Sequence, residues 1–177
     1  MAVGTRPTPK VVRLLCWVLT DPGILDKAAY ARDTWMQACD IRLFMSSEEN
    51  KTFPAVGLNV SSGRNHIAEK SKAAWTYVYD NHRNDADYFM KADPDSYIVV
   101  GNLKRYLANC DPDEPAIYGH NLFYIYTSEH YVAGEAVVLG RESIHRLVTK
   151  GIRKSDCFRP GQGKPKLIDQ NVDSLYT

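Results

Sequence analysis

The sequence predicts an α/β fold with a mostly parallel sheet flanked by helices. Strand-like apolar runs alternate along the chain with segments whose apolar residues recur at helical spacing, and this alternation is typical of parallel βαβ units. The composition, 44% hydrophobic and 24% charged, is that of a globular protein rather than a disordered one. The 177 residues suffice for one domain with a real core.

The first half of the chain predicts strands separated by two helices. Residues 11–20, "VVRLLCWVLT", form a buried apolar run, and Asp21-Pro22-Gly23 breaks it. The stretch 48–63 has the composition of a loop with a short strand in its middle. In order, the predicted elements are a strand over 11–20, a helix over 24–38, a strand over 41–47, a helix over about 65–82 with Ile67, Ala74, Trp75 and Val78 on one face, and a strand over 87–92.

The second half continues the alternation and then loses its pattern. The predicted elements are a helix over 101–110, strands over 116–126 and 131–140, and a helix over 141–151. Gly151 is expected to close the last helix. From about Ser155 onward the periodicity decays. We therefore expect a disordered segment over 1–10 and a single domain over 11–177 that is truncated or diverged at its C-terminus.

The charge balance and the apolar runs exclude several classes of partner. Twenty-two Lys and Arg residues stand against 21 Asp and Glu, and there is no basic stripe of the kind that binds nucleic acid. No apolar run approaches the length of a membrane span. The N-terminal residues carry no apolar signal core, so no targeting segment is expected.

The four cysteines leave two interpretations open. Cys16, Cys39, Cys110 and Cys157 form no CxxC pair, which argues against a zinc site. They are either buried thiols of a cytosolic protein or members of disulfides in an oxidising compartment. The glycosylation sequons at Asn50 and Asn59 favour the second interpretation but arise often by chance.

The segment "FMKADPDSYIVV" places Asp93 and Asp95 where a predicted strand ends. Ligands of open parallel sheets bind beyond the carboxyl ends of the strands. If the chain stays extended there, the two carboxylates lie on the same side and favour a hard divalent cation such as Mn²⁺, Mg²⁺ or Ca²⁺. Asp-Pro-Asp is also good turn chemistry that needs no ligand. Both interpretations remain open from the residues alone.

A family resemblance rests on several segments of the chain. They are "RLLCWVLT", "DTWMQAC", "LFMSSEENKTFPAVGLNV", "DADYFMKADPDSYIVVGNLKRYL", "DPDEPAIYGH" and "YVAGEAVVLGRESIHRLV". From about Val11 to Val148 the chain resembles the core 1 β1,3-galactosyltransferases, which are related to Fringe and have the nucleotide-diphospho-sugar (GT-A) fold. The segment "MSSEENKTFPAVGL" is specific for this group rather than for Fringe-like enzymes in general.

The resemblance implies an activity and a setting. The activity is Mn²⁺-dependent transfer of galactose from UDP-galactose to the GalNAc on Ser or Thr of glycoproteins, in β1,3 linkage and with inversion. The setting is the Golgi, where family members are membrane-anchored and tend to form homodimers, although we see no anchor in this chain. The alternative is a non-catalytic relative, a chaperone or pseudoenzyme on the same scaffold.

The resemblance also assigns roles to individual residues. Asp95 would ligate the metal directly, and Asp93 would lie nearer the ribose or a metal-bound water. The acceptor side would include Tyr131 and Gly134, and Cys16 would pair with Cys39 in a disulfide. The UDP-contacting segment would comprise Thr20, Gly63, Arg64 and Lys70. For Arg64 and Lys70, a solvated helix face is the equally good alternative.

This sequence departs from the family pattern at three places. Pro94 replaces the middle aspartate of an Asp-Asp-Asp signature, and Glu135 stands where a glycine is usual. Gln170 aligns with the catalytic aspartate and cannot accept a proton, so Asp169 is the candidate general base, with Asp173 a poorer one. The chain ends before the histidine that is the family's third metal ligand.

Overall fold

The computed structural model of the protein describes residues 10–126 and 128–154. A six-stranded sheet is flanked by helices. The strands are β1 (Leu14–Leu19), β2 (Ile41–Ser46), β3 (Ala55–Gly57), β4 (Tyr88–Ala92), β5 (Ile117–Tyr124) and β6 (Glu129–Gly140). The helices are α1 (Leu25–Asp33), α2 (Ile67–His82), α3 (Val100–Leu107) and α4 (Arg141–Arg146). In this described part, none of the helices combines the length and the apolar character that crossing a membrane requires.

The strand order is β3-β2-β1-β4-β6-β5, and the first four strands of that order run parallel. β6 pairs antiparallel with β4, and β5 completes the sheet as a hairpin with β6. The predicted α/β fold with a mostly parallel sheet is therefore confirmed. The carboxyl ends of β1, β2 and β4 meet at one edge, which is hereafter called the carboxyl edge of the sheet.

β1 lies at the centre of the fold and is buried on both faces. Cys16 and Val18 belong to a core with α1 on one side, whereas Leu15 and Trp17 face α2 on the other. The period of two in a pleated strand produces this division. The Trp17 ring meets the ring of Trp75 on α2 edge to face, with centroids 4.9 Å apart. A strand covered on both faces needs apolar residues at successive positions, which explains the continuous run "LLCWVL".

Several predicted boundaries are wrong in detail. Val11 is 85% exposed, so the buried strand begins later than predicted. The helix predicted over 24–38 breaks at Thr34, whose ψ of −107° is not helical, and a separate 3₁₀ turn follows over Trp35–Ala38. Ile67 is 44% exposed and does not share the buried face of α2. Gly151 does not close a helix, because a π-helical turn runs through it over Leu147–Ile152.

The disulfide implied by the family resemblance is present. Cys16 on β1 pairs with Cys39, which directly follows the 3₁₀ turn, and the Cα atoms are 6.1 Å apart. Cys110 is a half-buried free thiol. Residues 1–9 and 155–177 lie outside the described part, and with them the predictions that concern Cys157, Asp169, Gln170 and Asp173.

Candidate active site

Two groups of polar residues lie at the carboxyl edge of the sheet. One follows β4 and contains Asp93 and Asp95, and the other surrounds Asp21 after β1. β1 and β4 are hydrogen-bonded neighbours in which Val18 pairs with Ala92, so Thr20 and Asp93 end adjacent strands in nearly the same register. Neighbouring strands lie about 4.8 Å apart, so the two groups start from adjacent strand ends at the carboxyl edge.

The Asp93 group is built on a β-turn. The Ser96 N–H donates to the Asp93 carbonyl at 3.1 Å, so Asp93 and Ser96 are the first and last residues of the turn. Pro94 takes the second position, which its fixed φ suits. The chain therefore turns at Asp-Pro-Asp, and the extended course that would put both carboxylates on one side by strand alternation is wrong. The two carboxylates still project from a single short turn.

The Asp93 carboxylate already has a cation beside it. The Lys91 ammonium lies 3.0 Å from Asp93 Oδ1, and both side chains are less than a third exposed. Asp95 is exposed. One carboxylate oxygen of Asp93 is therefore paired with Lys91, and the other could still bind a ligand. The Asp95 side chain faces solvent at the sheet edge. Sequence reasoning did not single out Lys91, although a basic residue two positions before Asp93 on a strand shares its side of the chain.

Strand β6, which carries Tyr131 and Gly134, is hydrogen-bonded to this turn. The Asp93 N–H donates to the Glu135 carbonyl at 2.9 Å, while the Glu135 side chain is exposed. On the same strand Tyr131 is 41% exposed. Gly134 has φ +98°, and a Cβ there would lie 3.3 Å from the Cβ of His120, so glycine suits the position. The structure therefore places Gly134 next to the residue that binds the Asp93 amide, while Tyr131 lies four positions before Glu135 on the same strand.

The donor atoms fit part of a divalent-cation shell. Among residues 10–126 and 128–154 no group of three or more His, Cys, Asp and Glu side chains is arranged to hold a metal. Two carboxylates nevertheless match the way Mg²⁺-like cations bind beside phosphates, with one or two protein carboxylates and the rest of the shell from water and substrate. The residues present therefore fit a metal that a diphosphate helps to hold.

Asp21 is the centre of the second group. Its carboxylate pairs with the ammonium of Lys70 on α2 and accepts hydrogen bonds from Ser62 Oγ at 3.2 Å and from the Gly63 N–H at 3.5 Å. Ser62 Oγ also meets Ser47 Oγ at 2.8 Å. Burial raises the pKa of Asp21, but the hydrogen bonds from Lys70 and Ser47 outweigh it, so the pKa lies below its usual value.

The predicted nucleotide residues occupy contrasting environments. Thr20 is 1% exposed and its hydroxyl turns inward to the Ile24 carbonyl at 3.4 Å. Lys70 is 3% exposed, so it does not lie on a solvated helix face. Arg64 is exposed in the 3₁₀ turn Arg64–His66 that precedes α2. The structure thus brings Thr20, Gly63 and Lys70 together around Asp21, which sequence reasoning treated only as a strand breaker.

Comparison with known proteins relates this chain to a galactosyltransferase. No protein-family model matches the chain. The chain is 37% identical over 150 residues to glycoprotein-N-acetylgalactosamine 3-beta-galactosyltransferase 1 of Xenopus laevis. The match covers 84% of this chain and 41% of that protein. The chain thus spans about two fifths of the length of this relative.

Proposed function

We propose that this chain, a relative of the core 1 β1,3-galactosyltransferases, transfers galactose from UDP-galactose to the GalNAc of a glycoprotein. The predicted relationship itself is confirmed by the match to the Xenopus laevis transferase over 84% of the chain. That match is the single observation on which the proposal rests. The mixed α/β sheet is consistent with a GT-A-like glycosyltransferase fold. We extend the proposal to β1,3 linkage, inversion at the sugar carbon and dependence on Mn²⁺.

In the proposed site, Asp95 and the free oxygen of Asp93 hold the metal at the carboxyl edge. A bound Mn²⁺ would neutralise the negative charge that develops on the departing diphosphate. The Lys91 ammonium fixes the direction of the Asp93 carboxylate, because it lies 3.0 Å from Oδ1. The exposed guanidinium of Arg64 can form charge-assisted hydrogen bonds with a diphosphate.

The acceptor sugar would enter on the side of β6. Tyr131 offers a partly exposed ring and a hydroxyl there. The acceptor hydroxyl must lose a proton to a carboxylate as it attacks. We retain Asp169 as the proposed base. The catalytic role of Asp169 is a proposal from sequence alone, because this residue lies outside the described part.

We place the reaction in the Golgi lumen and expect a homodimer, both by resemblance to the family. The Cys16–Cys39 disulfide supports an oxidising compartment, since structural disulfides form and persist there. The alternative, a non-catalytic relative, is not favoured, because the Xenopus laevis relative is named as a transferase. Asp93 and Asp95, which match the outer aspartates of the family's acidic signature, are also present in this chain.

Calorimetric titration with UDP, with and without Mn²⁺, tests the donor site. We expect UDP binding that requires Mn²⁺ and that Asp95→Ala weakens by at least about tenfold, as loss of a metal-site residue does. Asp85→Ala is the matched control, since Asp85 is an exposed aspartate beyond the far end of α2. UDP binding that ignores Mn²⁺ and Asp95→Ala would refute the metal site.

Transfer of galactose to a GalNAc-bearing peptide tests the reaction itself. We expect product from UDP-galactose with Mn²⁺, and loss of product in Asp95→Ala. Asp169→Asn should abolish turnover while leaving UDP affinity unchanged, because a general base acts on the acceptor and not on the donor. Turnover that survives Asp169→Asn would remove Asp169 as the base. Metal-dependent UDP binding without any transfer would instead support the non-catalytic alternative.

A further inference from the structure

We infer that Asp21 is a positioning residue of the donor site, which holds Lys70 and the loop at Ser62 and Gly63 in the geometry that receives the nucleotide. This inference rests on the proposed function, because it assigns a part of the same site. The observation behind it is that one carboxylate joins three separate segments. Asp21 follows β1, Lys70 lies on α2, and the loop lies between β3 and α2.

The ion pair is too well buried to be a surface contact. The Lys70 side chain is 4% exposed and the Asp21 side chain 18%. Removing two charges from water is unfavourable unless further hydrogen bonds compensate. Asp21 has such compensation from Ser62 Oγ and the Gly63 N–H. The network joins the segment after β1 to a loop and to the first turn of α2 at the carboxyl edge, which points to a role in the site.

The charges explain how a carboxylate can lie beside a diphosphate. An unpaired aspartate at this edge would repel the donor. Lys70 neutralises Asp21, so the pair presents no net charge to the donor. Arg64, one residue beyond Gly63 and exposed, is then the cation that meets the phosphates. Asp21 therefore acts on the donor through the loop that it holds rather than by direct contact.

The loop itself needs such a hold. Gly63 has φ +100° and ψ 165°, a conformation that is essentially restricted to glycine. A glycine in solution leaves this conformation easily, because it has many others to choose from. The bond from the Gly63 N–H to Asp21 and the contact of Ser62 with Ser47 restrain it. Without Asp21, the amides that precede α2 lose their fixed direction.

The test combines UDP affinity with hydrogen exchange in Asp21→Asn, which keeps the size of the side chain and removes its charge. We expect UDP with Mn²⁺ to bind about tenfold more weakly, because a charge-assisted network that orders the loop is lost. We also expect faster amide exchange at residues 62–64 in the absence of UDP. Asp33→Asn is the matched control, since Asp33 pairs with Arg32 on the exposed surface of α1.

A double-mutant cycle with Lys70→Met separates positioning from a general loss of stability. If Asp21 acts through Lys70 and the loop, Asp21→Asn and Lys70→Met are not additive in their effect on UDP affinity. Additive effects that merely follow the fall in melting temperature indicate a structural role and overturn the inference. If Asp21→Asn does not fold, exchange at residues 62–64 of the wild-type chain decides instead: slow exchange that UDP slows further supports the inference, and fast exchange unaffected by UDP overturns it.

The remaining outcomes distinguish this inference from the proposed function. Unchanged UDP affinity in Asp21→Asn, in a wild-type chain that binds UDP, overturns the inference alone. Tighter UDP binding in Asp21→Asn also overturns it, because Asp21 would then compete with the diphosphate for Lys70. Absence of UDP binding by the wild-type chain overturns the proposed function and the inference together.

Discussion

Ion-paired aspartates occur at both edges of the sheet, Asp21 half-buried at one and Asp87 buried at the other, and their partners differ. At the edge opposite the proposed site, Asp87 accepts bonds from the Arg13 N–H and guanidinium, both at 3.0 Å, and from Arg141 at 2.7 Å. Burial raises the pKa of Asp87, but the hydrogen bonds from Arg13 and the charges of Arg13 and Arg141 outweigh it and lower the pKa. This cluster links the starts of β1 and β4, and the guanidinium groups of Arg13 and Arg141 are both paired with Asp87.

The lowered pKa of Asp87 predicts an acid-sensitive contribution to stability. A carboxyl whose folded pKa lies below its unfolded value of about 3.9 stabilises the protein fully above that value. This contribution is lost as the pH falls through the folded pKa. We expect Asp87→Asn to cost about 2 kcal/mol of unfolding free energy at pH 7, less than for a fully buried pair because both guanidinium groups are partly exposed.

Urea denaturation at pH 7 and at pH 3 measures this effect. The difference between wild type and Asp87→Asn should shrink at the lower pH, because pH 3 lies below the unfolded-state pKa of about 3.9 and protonation of the unfolded chain then offsets the stabilisation by the folded carboxylate. Asp85→Asn, at an exposed neighbouring aspartate, should change the unfolding free energy by less than about 0.5 kcal/mol. A wild-type-to-variant difference that is the same at both pH values would contradict the assignment.

At the scale of elements, the turns and loops after the strands shape the site more than the strands do. The β-turn Asp93–Ser96 directs the acidic pair, and the loop that ends in Gly63 leads into α2. Helix interruptions matter as well. Thr34 ends α1 because its hydroxyl bonds back to the Tyr30 carbonyl at 2.6 Å, and the following 3₁₀ turn then brings Cys39 to β1.

Gly63→Ala and Gly101→Ala should have opposite effects on stability. A Cβ meets no atom within 4 Å at either position, so sterics with neighbours do not distinguish them. Gly63 has φ +100° and ψ 165°, where alanine is strained by about 1–3 kcal/mol. Gly101 lies in helix α3, where alanine is favoured by up to about 1 kcal/mol.

Thermal unfolding of the two variants provides the measurement. We expect Gly63→Ala to lower the melting temperature and to weaken UDP binding, since the loop must leave its conformation. Gly101→Ala should raise the melting temperature and leave UDP binding unchanged. A Gly63→Ala variant as stable as the wild type would mean that the positive φ at this position is not required.

At the scale of the whole molecule, the disulfide joins the central strand to the helical layer. Cys16 and Cys39 are 23 positions apart, and closing a loop of that length in the unfolded chain is worth about 3 kcal/mol in the chain-entropy model. We expect reduction with a thiol reagent to lower the unfolding free energy by about this amount. Equal urea midpoints for the oxidised and reduced chain would show that the bridge contributes nothing.

Much of the fold follows from local pattern. Neighbouring residues predict three features: the apolar run of β1, the helical spacing within α2 and the turn at Asp-Pro-Asp. The causes of these features are burial on two faces, a period of 3.6 residues and the fixed φ of proline, and each acts over only a few positions. The family segments add the acidic pair and the disulfide. The ends of elements were less predictable, since the apolar spacing carries no signal for the break at Thr34 or for the π-helical turn through Gly151.

Other properties of the site depend on contacts between distant positions. The sequence by itself determined the α/β class and the acidic pair after the third predicted strand. Only the tertiary structure decided that Asp21 pairs with Lys70, 49 positions away, and that the Asp93 amide is tied to Glu135. The physical reason is that the order of the strands determines which strand ends and helix ends meet at one sheet edge. Charged residues that meet there can be far apart along the chain, and no local sequence pattern predicts their pairing.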